Sequence, residues 1–250
     1  MKLKTIASGS KGNCSIVLCD ETNLIIDMGI SFLTLKKTLE ENSLSFNDFS
    51  GILITHCHKD HTKGLATLIN KTKLEVYIPE GMYESLKEFV PYPKCKFIED
   101  KFNINDVEIE LIHTSHDAPS SVGYIIRHND RSLVYVTDTG YINRKYLEKM
   151  KNHNCYLIES NHDEVMLMDG PYPRFLKERV ISDYGHLSNY TTAKYLKKIV
   201  GSNTKNIVLA HISEVNNTKE LAYNTIKQEI DDNIRVTIAY QDTGTELIEV

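Results

Sequence analysis

His56-Cys57-His58-Lys59-Asp60-His61 places three imidazoles and a carboxylate in six residues, directly after the apolar run Gly51-Ile52-Leu53-Ile54-Thr55. That run has the length and composition of a strand buried on both faces. On extended chain His56 and His58 point to the same side, whereas Asp60 and His61 fall where a following helix begins, so one turn can serve two metal ions. Borderline divalent cations accept imidazole nitrogen and carboxylate oxygen, and a catalytic site keeps a position open for water. Cys57 lies between two of these residues but points the other way on extended chain, and reads as a packing thiol.

Working outward, strands and helices alternate along the whole chain. Leu3 to Ala7, Ser15 to Cys19 and Asn23 to Ile26 read as strands, and Ser31 caps a helix to Asn42. After the histidine-rich turn come helices at Lys63 to Asn70 and Met82 to Phe89, with strands at Leu74 to Ile78, Lys96 to Glu99 and Val107 to His113. The second half has strands at Val122 to Arg127, Ser132 to Thr137, Cys155 to Glu159, Asn206 to Ala210, Arg235 to Ala239 and Thr245 to Val250. Its helices are Asn143 to Lys151, two pieces before Tyr184, Asn189 to Val200 and Lys219 to Ile230. No linker rich in Pro, Gly or Ser divides the halves, which favours one α/β domain over residues 1–250, two sheets packed face to face with helices outside.

Further ligands must come from distant segments, and an α/β architecture collects its site at strand C-terminal ends. The candidates are Asp27, His113, His116, His128, Asp138, His153, Glu159, His162, His186 and His211. His116, Asp138 and His211 each follow a strand closely; His128 and His153 fall in polar loops and read as structural. Asp27, the His56–His61 turn, His116, Asp138 and His211, in this order, resemble the motifs of the metallo-β-lactamase superfamily over essentially the whole chain. The resemblance implies a four-layer αββα sandwich and two divalent ions, zinc or manganese. It assigns His56, His58 and His116 to one ion and Asp60, His61 and His211 to the second, with Asp138 bridging and Asp27 supporting the ligand loop by hydrogen bonds.

Within the superfamily, the Ser8–Cys14 opening, Ser160–Asp163, the Gly170-Pro171-Tyr172-Pro173 turn and Gly185–Asn189 look like the YycJ/WalJ branch, which groups with nucleases and is similar to ribonuclease Z and PhnP. The resemblance implies a phosphodiesterase acting on nucleic acid, DNA in preference to RNA, as a 5′→3′ exonuclease. It makes Asp60, Asp138, His186 and Glu159 the catalytic group, with His186 the acid and Glu159 orienting it. Ser10, Asn13, Asn161, His162, Ser188 and Asn189 become the candidate substrate contacts. A small-molecule hydrolase of cyclic phosphodiesters, thioesters or lactones is the alternative, and a non-catalytic regulatory protein stands third.

Composition bounds these readings. The 250 residues carry 29 Lys+Arg against 34 Asp+Glu, a net charge of −5, which supplies no general electrostatic footprint for nucleic acid. Two divalent ions would reduce the net charge to about −1, so phosphate binding is expected at the site and not across the surface. Arg174, Lys177 and Arg179 beside Tyr172 and Phe175 are the exception, readable as a polyanion contact or as a solvated helix face. Five cysteines without a C-x-x-C pair and no apolar run long enough for a membrane helix fit a cytoplasmic protein with free thiols.

Overall fold

The computed structural model describes residues 1–250. The strands are β1 (Lys2–Ala7), β2 (Cys14–Leu18), β3 (Asn23–Ile26), β4 (Phe49–Leu53), β5 (Val76–Ile78), β6 (Cys95–Phe97), β7 (Lys101–Ile104), β8 (Val107–His113), β9 (Val122–His128), β10 (Arg131–Val136), β11 (Cys155–Glu159), β12 (Asn206–Ala210), β13 (Arg235–Ile238) and β14 (Ile248–Glu249). The helices are α1 (Phe32–Glu41), α2 (Lys59–Thr62), α3 (Leu65–Lys71), α4 (Tyr83–Leu86), α5 (Arg144–Leu147), α6 (Glu164–Asp169), α7 (Arg174–Ile181), α8 (Asn189–Ile199) and α9 (Lys219–Lys227).

They form two seven-stranded mixed sheets, ordered β14-β1-β2-β3-β4-β5-β6 and β13-β12-β11-β10-β9-β8-β7. The strands alternate in which layer they feed. Leu24 and Ile26 of β3 point into the core between the sheets with Tyr124, Leu133, Leu157 and Val208, whereas Ile25 packs outward with Leu35 and Leu39 of α1. In the second sheet Ile125, Val134, Tyr156 and Ile207 pack outward against Ala193 and Leu196 of α8 and Ala222 and Ile226 of α9. The expected four-layer αββα sandwich follows from this double burial, which also explains the near-continuous apolar runs. Ser31 and Ser188 cap α1 and α8 by accepting hydrogen bonds from Thr34 N and Thr191 N.

The differences from the sequence reading lie at the edges. β7 is not expected from the sequence; Phe102 and Ile104 alternate inward with exposed Lys101 and Asn103, but the run is only four residues long and is held by pairing with β8. The helices read at Met82 to Phe89 and Asn143 to Lys151 contract to α4 and α5, and the last strand to β14. His128 ends β9 instead of lying in a loop. All five cysteines are free, and no helix is long and apolar enough to cross a membrane.

β3, β4, β8, β10, β11 and β12 all end at one rim of the sandwich, delivering Asp27, His56, His116, Asp138, Glu159 and His211 there. Asp27, Asp138 and His211 have φ of 61°, 53° and 54°, a left-handed conformation that non-glycine residues adopt at a cost of about 1–3 kcal/mol each. Each turns the chain off its strand end and aims the side chain across the rim.

Candidate metal centre

The His56–His61 turn is locked from behind by main chain. Asn13 N donates to Asp60 O at 2.7 Å and Met28 N to His61 O at 2.7 Å. Gly29 makes this approach possible, because a Cβ there would lie 1.6 Å from Asp60 O. Asp27, fully buried, accepts from Thr55 N at 2.8 Å and Thr55 Oγ1 at 2.9 Å, and its Oδ2 lies 2.8 Å from His61 Nδ1. The Asp27–His61 contact leaves His61 Nε2 pointing to the rim, the orientation a ligating histidine takes from a supporting carboxylate.

Three groups of side chains converge there: His56, His58 and His116; His56, Asp60 and His61; and Asp138, Glu159, His186 and His211. His58 Nδ1 and His116 Nε2 are 3.3 Å apart. Asp60 Oδ2 lies 3.5 Å from His61 Nε2 and 3.7 Å from His211 Nε2. Asp138 stands between the groups, with Oδ2 3.3 Å from His61 Nε2 and Oδ1 3.4 Å from His211 Nδ1 and 4.0 Å from His116 Nε2.

The residues fit divalent cations on a structural observation. His56 Nε2, His211 Nε2 and Asp138 Oδ2 are buried without a hydrogen-bond partner, a costly state unless a ligand completes them. The field agrees. Burial alone would lower the pKa of His61 and His211, yet Asp27 and Asp138 hold His61 well above the usual range, and Asp138, Asp60 and Glu159 bring His211 up to about 10. Asp138 is pushed up by burial and pulled well below the carboxylate range by His211 and His61. Buried carboxylates thus demand positive charge at the points a metal would occupy, and metal binding displaces those protons.

Glu159, fully buried, joins this centre to His186. Its Oε1 lies 2.7 Å from His186 Nδ1 and 2.9 Å from His211 Nδ1, while Oε2 accepts from Thr139 N and Leu187 N at 3.1 Å each. Burial pushes Glu159 up, and the His186 and His211 rings bring it down to about 2. His186 stays partly exposed, 3.8 Å from Asp138 Oδ1.

The expected substrate contacts separate into two sets. Ser10 and Asn161 line a cavity of about 200 Å³ with His116, His186 and His211, and His162 and Ser188 line another of about 300 Å³ on which His186 also opens. Asn13 and Asn189 are buried and line neither. Asn13 Nδ2 donates to Gly9 O at 3.0 Å and lies 2.9 Å from His61 Nε2, bracing the turn. Asn189 exchanges a reciprocal pair of 2.9 Å amide bonds with Asn217 and accepts from Ser160 Oγ. These two asparagines are scaffold, a role indistinguishable in sequence from a polar contact. Thr55, which bonds Asp27, and Asp117, 3.4 Å from His116 Nε2, went unassigned for the same reason. Outside the centre, His113 pairs with Asp100, His128 with Asp106 and His153 with Lys149 O. Cys57 packs against the outer core of the first sheet.

His162 supplies a pH effect separable from the ligands. It is buried with Nδ1 unpartnered, and burial lowers its pKa from 6.5 to about 4. Between those values the unfolded chain binds the proton and the native chain does not, so stability is full above pH 6.5 and falls as pH drops toward 4. Denaturant titrations should show His162→Gln flattening this part of the stability–pH curve; an unchanged slope would contradict the burial argument.

Residues 22–212 match the β-lactamase superfamily domain, and the chain belongs to that superfamily. It is 37% identical to the exodeoxyribonuclease YycJ of Bacillus anthracis over 238 residues, covering 93% of this chain and 90% of that one. It is 33% identical to the exodeoxyribonuclease WalJ of Streptococcus pneumoniae over 263 residues, covering 100% and 98%. Among solved structures, the metallo-β-lactamase fold protein YhfI of Bacillus subtilis superposes with a TM-score of 0.75 at 15% identity, covering 99% of both chains.

Proposed function

We propose that this chain, acting as one unit, is a dinuclear metal-dependent hydrolase that degrades DNA from an end in the 5′→3′ direction. The observation that carries the reading is the placement of the Glu159–His186 pair beside Asp138, the carboxylate between the two ligand groups. The exodeoxyribonuclease names of relatives matching nearly the whole chain support the choice of DNA.

His56, His58 and His116 would hold one ion, Asp60, His61 and His211 the second, and Asp138 would serve both; zinc and manganese each suit these donors. When bound, such ions bring the pKa of a coordinated water toward neutrality and neutralise phosphate charge. The chain's own groups do the rest. Asp27 and Glu159 orient His61 and His211 through their Nδ1 atoms so that Nε2 can ligate; on His61 an ion would take the place of the nearby Asn13 Nδ2. Glu159 likewise holds His186 through Nδ1, so Nε2 carries the proton toward the leaving sugar oxygen. That oxygen leaves as an alcohol, and His186 is reprotonated from solvent through its exposed edge.

Elemental analysis of metal-replete protein should find about two divalent ions per chain, since seven donors exceed what one tetrahedral ion can use. Chelation should abolish cleavage of a deoxyoligonucleotide, and manganese or zinc should restore it. One ion or none in the active protein would overturn the dinuclear reading.

A further inference from the structure

Sequence leaves Arg174, Lys177 and Arg179 equivalent as anion contacts, and the structure separates them. Arg174 Nε is spent on Glu178 Oε1 at 2.7 Å, and Lys177 Nζ donates to Met168 O at 2.5 Å. Arg179 alone faces the metal side: it lines the 200 Å³ cavity with His116, His186 and His211. Its Nε and Nη2 bind Asp117 Oδ2 at 2.8 and 2.5 Å, and Asp117 Oδ1 lies 3.4 Å from His116 Nε2. The carboxylate therefore fixes the guanidinium beside the three-histidine group. A guanidinium has five N–H donors, so 5 − 2 = 3 remain for an anion. The pair is well exposed, at 58% and 34%, and a pair of that exposure adds little to stability.

Tyr184 stands at the same cavity, 63% exposed. Both Tyr184 and His116 also line a second cavity of about 280 Å³, whose other walls include Tyr141 and Lys145. A cation and an exposed tyrosine thus occur twice, in adjoining cavities that meet at a candidate metal ligand. Phosphate and base alternate in the same way along an unpaired strand, whose bases stack on aromatic rings while cations track the backbone.

We propose that Arg179 and Tyr184 form a nucleotide-anchoring subsite, Arg179 gripping the phosphate beside the scissile one and Tyr184 stacking its base, with the single strand continuing between Tyr141 and Lys145. This rests on the DNA-cleaving reading and names how that substrate is held. Asp117 is a positioning residue in it.

The test is steady-state cleavage of a single-stranded deoxyoligonucleotide by the metal-loaded full chain, with metal content measured in parallel. Arg179→Gln should raise KM about tenfold or more with kcat little changed, because it removes charge-assisted hydrogen bonds made before and during reaction alike. It should also reduce the slope of log KM against log salt concentration by about 0.7, the single-strand value for one phosphate contact. Arg179→Lys should keep the salt slope and recover part of the KM. Tyr184→Ala should raise KM about tenfold and Tyr184→Phe should not, since stacking needs the ring and not the hydroxyl. All four variants should retain the metal content of the unaltered protein. KM within twofold of the unaltered protein in both Arg179→Gln and Tyr184→Ala, or a loss of metal with KM unchanged, would overturn the subsite while leaving the nuclease reading intact. Failure of the unaltered protein to cleave the oligonucleotide would overturn both.

Discussion

Asp138→Asn should lower DNA cleavage about a thousandfold or more while leaving the fold in place. The magnitude follows from losing several kcal/mol of charge stabilisation at the reacting centre, each 1.36 kcal/mol being tenfold. Asp138 is the side chain that reaches both ligand groups, with Oδ2 3.3 Å from His61 Nε2 in the second and Oδ1 4.0 Å from His116 Nε2 in the first. Asparagine keeps its shape and tolerates the φ of 53°, so the substitution removes a charge without breaking the turn. In the metal-free protein the loss of a buried carboxylate is felt as lower proton affinity of His61 and His211, which Asp138 helps to raise. Rate measurements and elemental analysis of the purified variant check this. Cleavage at the normal rate would remove Asp138 from the centre.

His186→Ala should slow DNA cleavage about 10²- to 10⁴-fold, the usual cost of losing a general acid, with the metal content of the unaltered protein retained. The geometry makes this separation possible. Glu159 Oε1 keeps its 2.9 Å contact to His211 when His186 is gone, and Oε2 keeps its two main-chain donors, so the ligand set remains supported. A nitrophenyl phosphodiester, whose leaving group needs little protonation, should be hydrolysed at closer to the normal rate. Glu159→Gln offers the contrast: the same oxygen serves His186 and His211, so this variant should lose metal as well as rate. Equal slowing of both substrates by His186→Ala, or loss of an ion, would move His186 from proton delivery to coordination or structure.

Much of the centre is legible in sequence because its members sit at strand ends, where apolar runs such as Leu133 to Val136 stop abruptly at a polar residue. The His56–His61 turn, His116, Asp138 and His211 are readable in this way, and the structure gathers all of them at one rim. What sequence leaves open are the choices made by tertiary packing. Asn13 and Asn189 resemble substrate contacts until their amides are seen occupied by His61, Gly9, Ser160 and Asn217. Arg174, Lys177 and Arg179 share one short helix, and only the path of α7 across the rim turns Arg179 toward Asp117. Glu159 reads as the partner of His186 alone, because the second use of its Oε1 depends on β11 and β12 lying side by side. β7 is missed because its alternation, Phe102 and Ile104 inward, spans only four residues of an edge strand, too few to stand out.

The central claim is tested most directly by product analysis on a single-stranded deoxyoligonucleotide labelled at its 5′ end, with manganese or zinc and with chelator. The account predicts that labelled mononucleotide is released from the first time points, that no internal fragments precede it, and that chelator stops its formation. Internal fragments before mononucleotide, release from the 3′ end first, or cleavage that survives chelation would contradict it.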